Sequence, residues 1–286
     1  MNKGISKYLY RIFNVNFLAR KLSDIYKDGS AMGHIFGINL RPLNDEEDLR
    51  SYIESIKRLR DVDYNKIYIE EELPFECKKE IADSLEVRLA DGNNLFKENL
   101  PYLIAGIIKY IKRDIKKNEV LLMCNTKDEA LELISAIADF FSFISVWGLN
   151  QGDGEALHEE VLTDIGISIY LPQQDNFSLK KYGFIINTLN HLPLNIIDVK
   201  SSSVIVDLSR DKPLRKQNNL VIEDLYFDIS PFELDSNGWI GGHVSSALYA
   251  CIYGDKPNNF SLVSSNGKIE SLENILHQGL KLKGFF

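Results

Sequence analysis

The sequence predicts an α/β protein in which a doubly wound, mainly parallel sheet is preceded by a smaller α/β domain. Three observations lead there. Strand and helix patterns alternate in two runs, and a long apolar helix with the polar stretch Lys116-Lys117-Asn118 parts them. The strands of the second run are apolar without alternation, Val120-Leu121-Leu122-Met123-Cys124 foremost, as strands covered on both faces are. The 286 residues, 44% of them hydrophobic, suffice for two domains with real cores. The expected division is an N-terminal α/β domain with leading helices and a connecting helix over 1–116, then the larger sheet domain with C-terminal helices over 117–286.

Two helical stretches are read at the start, followed by a strand at Ile35-Phe36-Gly37-Ile38-Asn39-Leu40 that Arg41-Pro42 stops. Asn44 is placed to cap the next helix, Asp45, Glu46, Glu47 and Asp48 suit its positive end, and Leu49, Tyr52, Ile53, Ile56 and Leu59 form its apolar stripe. Lys66 to Ile69 reads as a strand, Pro74 opens a helix, and Leu85 to Leu89 is a strand ending at Asp91-Gly92. The connecting helix is expected from about Asn99 to Ile115.

In the second run Thr126-Lys127-Asp128-Glu129 matches a capping box, with Leu133, Ile134, Ile137 and Phe141 continuing the helix. Phe143 to Trp147 is the second strand, Gly154 to Ile165 the second helix with Asp153 as its cap, and Ile167 to Leu171 the third strand. Gly183 to Thr188, Ser203 to Leu208 and Val221 to Phe227 supply three more. In such a sheet ligands sit outside the carboxyl ends of the strands.

The 33 basic and 41 acidic residues leave a formal charge of −8, so no broad attraction to nucleic acid is expected. Cys77, Cys124 and Cys251 stand far apart with no Cys-x-x-Cys spacing, which argues against a disulfide framework or a thiolate zinc site and fits a reducing, cytoplasmic setting. The N-terminus is broken by Lys7, Arg11, Asn14, Asn16 and Arg20, so no export signal is expected. The same charges beside Ile5, Tyr8, Leu9, Ile12 and Phe13 describe an amphipathic basic helix, either packed on the body or lying on a membrane surface or partner.

From about Glu119 to Tyr253 the chain resembles the Rossmann domain of two-domain dehydrogenases such as shikimate dehydrogenase, glutamyl-tRNA reductase and the first subunit of dipicolinate synthase. The resemblance is carried by the strand-helix-strand from Val120 to Trp147, by Phe184-Ile185-Ile186-Asn187-Thr188, by Val204-Ile205-Val206-Asp207-Leu208 with Pro213 following, and by Gly241-Gly242 ahead of an apolar helix. It implies a Rossmann-like fold, NAD or NADP as cofactor, and an N-terminal substrate domain. The first strand-to-helix turn departs from that pattern. Cys124-Asn125-Thr126-Lys127-Asp128-Glu129 holds no glycine, so side chains stand where a pyrophosphate would approach the helix amides, and no ribose-binding acid follows Trp147. The Lys-bearing segment of shikimate dehydrogenase is missing, since Ile38-Asn39-Leu40-Arg41-Pro42 lacks the Lys. Cys77 is the one N-terminal cysteine, read either as a helix thiol or as a thiolate favoured by Lys78 and Lys79.

No two of the five histidines have metal-ligating helical spacing, and no P-loop or Gly-x-Ser-x-Gly elbow occurs, so neither a metal site, a P-loop enzyme nor an ordinary hydrolase is expected. The candidate ligand-binding residues follow strand ends: Asn125, Thr126, Lys127, Asn150, Thr188, Asn190, His191 and, after Gly241-Gly242, His243. No catalytic residue is assigned. Two functions are carried forward. One is a diverged, non-catalytic Rossmann-like protein that binds a small molecule or a protein partner in the crevice between its domains. The other is an NAD(P)-dependent dehydrogenase or reductase with a phosphate loop rebuilt around Asn125, Thr126 and Lys127.

Overall fold

The structure is a computed structural model describing residues 19–38, 46–58, 65–70, 73–111, 119–173, 177–193, 198–215, 219–234, 239–255 and 259–281. Most of the expected basic N-terminal helix, the Arg41-Pro42 stop and the Asn44 cap lie outside these residues. The chain divides into two compact units, 1–90 with 229–242, and 91–228 with 243–286.

In the first unit β1 (Ala19–Lys27) and β2 (Ser30–Ile38) pair antiparallel, whereas only helical stretches were expected ahead of Ile35. The turn between them explains the correction: Asp28 and Gly29 have φ of 50° and 77°, and two successive left-handed residues make a tight hairpin turn and end any helix. The strand expected at Ile35 therefore pairs with β1. Helices α1 (Glu46–Lys57) and α2 (Phe75–Ser84) form a core from Leu49, Tyr52, Ile53, Ile81 and Leu85, against which Ile67, Ile69 and Cys77 pack. Pro74 stands at the N-cap of α2, where its missing N–H costs no helical bond. The short strands β3 (Lys66–Ile67) and β4 (Arg88–Leu89) pair parallel beside them.

The second unit begins with α3 (Asn93–Ile111), six residues earlier than expected because Asp91 Oδ1 accepts from Asn93 N–H at 3.1 Å. This helix, read from sequence as the connector of the first domain, packs against helices of the second unit. Along the chain there follow β5 (Glu119–Met123), α4 (Lys127–Ile137), β6 (Phe143–Trp147), α5 (Gln151–Asp164), β7 (Ile169–Tyr170), β8 (Phe184–Asn187), β9 (Val204–Asp207), β10 (Leu220–Leu234), β11 (Trp239–Ser245), α6 (Ser246–Tyr253), β12 (Leu262–Ser265), β13 (Lys268–Glu270) and α7 (Leu272–Lys281), the parts of β10 and β11 within 229–242 belonging to the first unit. The strands lie in the order β13-β12-β10-β9-β8-β5-β6-β7. All neighbours from β10 to β7 are parallel, and β12 and β13 are antiparallel additions. Numbered along the chain, the parallel strands run 3-2-1-4-5-6, the Rossmann order, with its switch point between β5 and β8.

The two faces of this sheet are covered differently. Leu121, Met123, Ile185, Ile205 and Val221 share one face, and their covering side chains, Phe177, Leu179, Tyr182, Leu192, Val199 and Leu214, all come from connections between strands. The intervening Val120, Leu122, Ile186 and Val206 point to the other side by alternation. There α7 approaches Leu220, whose side chain would lie 3.2 Å from a Cβ on Gly279. The described parts of the connections after β7, β8 and β9 hold only a 3₁₀ turn at Leu179–Lys181, and each connection carries a proline: Pro172, Pro193 and Pro213. Among the described residues no helix is long and apolar enough to cross a membrane, and no cluster of His, Cys, Asp and Glu suits a metal ion.

A second left-handed pair, Asn266 and Gly267 with φ of 49° and 78°, turns β12 into β13. Gly267→Ala is expected to destabilise the second unit by about 1 kcal/mol through left-handed strain, since only ordinary contacts surround a Cβ there. Thermal unfolding checks this.

Candidate functional site

Backbone bonds hold three strand ends level. Cys124 N–H donates to the Trp147 carbonyl at 3.0 Å, and Thr188 N–H to the Met123 carbonyl at 2.9 Å. Asn125 and Thr126 after β5, Asn150 after β6, and Thr188, Asn190 and His191 after β8 therefore lie at one carboxyl edge, with Lys127 opening α4 beside them. His243 is not brought to this group. It sits on β11 with Nδ1 2.9 Å from Ser261 Oγ, beside β10, and β10 is three strands, about 14 Å, from β5.

At the α4 N-terminus half of the expected capping box forms. Thr126 Oγ1 accepts from Glu129 N–H at 3.4 Å, but the Glu129 carboxylate turns away from the cap. One oxygen lies 2.7 Å from Thr188 Oγ1 and the other 2.9 Å from Lys97 Nζ. Glu129 thus ties α4 to the end of β8 across the switch point. Burial works against the Lys97 ammonium, but hydrogen bonds to Glu129 and Glu132 outweigh it and hold its pKa above the usual lysine value. Lys127 pairs with Glu160 of α5 at 2.6 Å, which raises its pKa and commits its charge. Cys124, beneath this turn, is an inert thiol: burial and the nearby Glu129 push its pKa up to about 12.

The position after β6 is equally constrained. Gly148 has φ of 111°, and a Cβ there would lie 2.4 Å from the Cys124 carbonyl oxygen. No acidic side chain fits at the site where a ribose-binding acid was sought. Trp147, before it, stacks on Phe177 with ring centroids 4.6 Å apart. The α5 cap is Asn150, whose Oδ1 accepts from Asp153 N–H at 2.9 Å, which corrects the expected Asp153 cap. Asp153 is the third helical residue, and its own amide is the one needing an acceptor.

The ends of β8 and β9 are joined by buried polar groups. Asp207 Oδ1 accepts from Asn187 Nδ2 at 3.0 Å, from Ser209 N–H at 3.1 Å and from Ser209 Oγ at 2.5 Å, and Oδ2 accepts from Leu214 N–H at 3.3 Å. Asn190 Oδ1 accepts from Arg210 N–H at 2.8 Å, and Arg210 Nε donates to Asp91 at 3.0 Å. Sequence reading missed Lys97, Asp91, Arg210 and Lys212; Asp207 entered only through the resemblance. The apolar run ending in Asp207 was a usable signal, since an acid at the end of a buried strand needs donors nearby.

A cavity of about 160 Å³ opens elsewhere, lined by Glu119, Tyr170, Pro172, Gln173, Phe177 and Tyr182 among others. Its lining runs from Glu119 at the start of β5 to Pro172 and Gln173 just after β7, and it uses none of the expected residues. The Glu119 carboxylate is already engaged by the Ser145 hydroxyl.

The strand order makes this unit a Rossmann-like α/β domain. No family model and no curated protein matches the chain. Among solved structures it is similar to Delta(1)-pyrroline-2-carboxylate reductase of Thermococcus litoralis in complex with NADH and L-proline, with TM-score 0.30 and 17% identity over 41% of this chain and 38% of that one. It is also similar to L-tryptophan dehydrogenase of Nostoc punctiforme, with TM-score 0.32 and 14% identity over 66% of this chain and 57% of that one. The matched spans cover less than two thirds of either solved chain.

Substitutions at two positions probe this edge. Gly148→Ala is expected to destabilise by about 3 kcal/mol, from a backbone clash added to left-handed strain. Asp207→Ala is expected to cost a similar ~3 kcal/mol by leaving Asn187, Ser209 and Leu214 donors buried without an acceptor, with Asp207→Asn intermediate because one acceptor oxygen remains. Urea unfolding of each variant measures both.

Proposed function

We propose that this chain is a Rossmann-like binding module that has given up the ordinary dinucleotide mode and takes a small molecule at the carboxyl edge of its parallel sheet. The observation that carries this reading is the Thr188–Glu129–Lys97 link. In a dinucleotide-binding domain the α4 N-terminus meets a pyrophosphate, whose negative charge its amides and dipole favour. Here the chain places its own carboxylate in that first turn and holds it with a lysine and a threonine from the neighbouring elements. Asp128 adds a second negative charge, and the only lysine of the turn is spent on Glu160. Side chains on Asn125 and Thr126 and the side-chain-free position 148 point the same way, because they alter two separate contacts a dinucleotide would make.

Calorimetric titration with NAD and NADP tests the reading. No saturable binding is expected up to about 1 mM, since each ~1.4 kcal/mol lost in either contact weakens affinity about tenfold. A low-micromolar dissociation constant for either would replace this reading with that of a dehydrogenase with a rebuilt phosphate loop.

A further inference from the structure

The cavity of about 160 Å³ lies wholly within the second unit, and its lining carries one carboxylate and one ammonium. Its floor follows from strand register. Ser145 of β6, fully buried, pairs with Leu121 of β5 on one side and with Tyr170 of β7 on the other, so the three share a face. Glu119, two residues before Leu121, lies on that face as well. A hydroxyl in place of an apolar group at position 145 supplies the hydrogen bond that holds the Glu119 carboxylate. Phe177 and Tyr182 line the cavity from the segment after β7, their ring centroids 6.1 Å apart, and Phe177 is fixed further by stacking on Trp147. Between them the 3₁₀ turn Leu179–Lys181 is anchored by Leu179, which is fully buried, and this brings Lys181 to the lining.

The two charges are not spent on each other. Among the described residues the Glu119 carboxylate bonds only to Ser145, through one of its two oxygens, and Lys181 has no ion pair. The adjacent Lys180, by contrast, is paired with Asp198. We propose that this cavity is a binding site for a small zwitterion with an apolar body, the class of the free aliphatic amino acids. Three features select that class. A simple cation would meet Lys181 and a simple anion would meet Glu119, each at a like-charge cost, whereas a zwitterion is attracted by both. The volume is close to that of a cavity that admits one benzene ring, which limits the ligand to roughly ten non-hydrogen atoms. Phe177, Tyr182 and Pro172 supply apolar surface for its body, as pockets for small molecules commonly do. The ammonium of the ligand goes to Glu119 and its carboxylate to Lys181. None of these residues belongs to the carboxyl edge, so this is a second site beside the one proposed there.

The test removes one charge of the ligand at a time. L-leucine is titrated into the full wild-type chain by calorimetry, with saturation-transfer NMR as the second readout. Isopentylamine and 4-methylpentanoate, which keep the leucine body with a single charge, are titrated in parallel. Leucine is expected to bind saturably and at least about tenfold more tightly than either relative. Glu119→Gln, which retains an acceptor for Ser145, and Lys181→Gln should each weaken leucine about fivefold or more, while Lys180→Gln leaves it unchanged. Equal affinity for leucine and either relative overturns the proposal, as does the absence of saturable leucine binding up to about 10 mM. Leucine affinity unmoved by both Glu119→Gln and Lys181→Gln overturns it too, by placing the ligand elsewhere. The three-ligand comparison uses the wild-type chain and requires no variant to fold. It is independent of nucleotide affinity, so it and the preceding titration fail separately.

Discussion

Much of the carboxyl edge of the sheet depends on satisfying one buried carboxylate. Asp207 ends an apolar strand with no exposure to solvent, where an unsatisfied carboxylate would be costly. Its two oxygens collect the Asn187 amide from β8, the amide and hydroxyl of Ser209 and the amide of Leu214. That satisfaction gives the 208–214 loop its shape without a helix, because the loop must wrap back to deliver its donors. The bend presents the Asp207 carbonyl to Lys212, so the position of that ammonium follows from the same carboxylate.

At the switch point the strand topology and the chemistry of the turns are set by different residues. Strand order and level strand ends come from the hydrophobic faces of β5, β6, β8 and β9, which are indifferent to what stands in the turns. The turns carry charge, and here those charges find partners within the chain: Glu129 with Lys97 and Thr188, Lys127 with Glu160. Such pairs rigidify the turn and remove the positive field an anion would need. At Gly148 the limitation is steric: β6 turns against the Cys124 carbonyl so closely that no side chain fits.

The uneven covering of the sheet has a related origin. Apolar strands need both faces buried, but nothing requires a helix to do it. After β7, β8 and β9 the connecting segments each contain a proline, which lacks an N–H and disrupts a helix interior. They cover the sheet instead with single apolar side chains such as Leu179, Leu192, Val199 and Leu214. Each such segment brings polar backbone with it, and Ser203 and Asn219 satisfy part of it, donating to the carbonyls of Tyr182 and Lys200.

What the sequence by itself determined is the part ruled by periodicity and local chemistry. The continuous apolar strands, the helices between them and the Thr126 cap are legible because each depends on residues a few positions apart, and the parallel order follows from their alternation. The Asp28-Gly29 and Asn266-Gly267 pairs, two consecutive residues that favour positive φ, are local signals that the sequence reading passed over, and the helical reading ahead of Ile35 gave the first too little weight. Only the tertiary structure decided the rest. Glu129 looks like half of a capping box until Lys97, 32 positions before it, and Thr188, 59 after it, compete for its carboxylate and win with a charge and a partly buried hydroxyl. Lys212 reads as one more solvated lysine until the Asp207 carbonyl and the Phe96 ring meet its ammonium, because such long-range contacts are a property of the assembled chain and leave no mark at the residue that makes them.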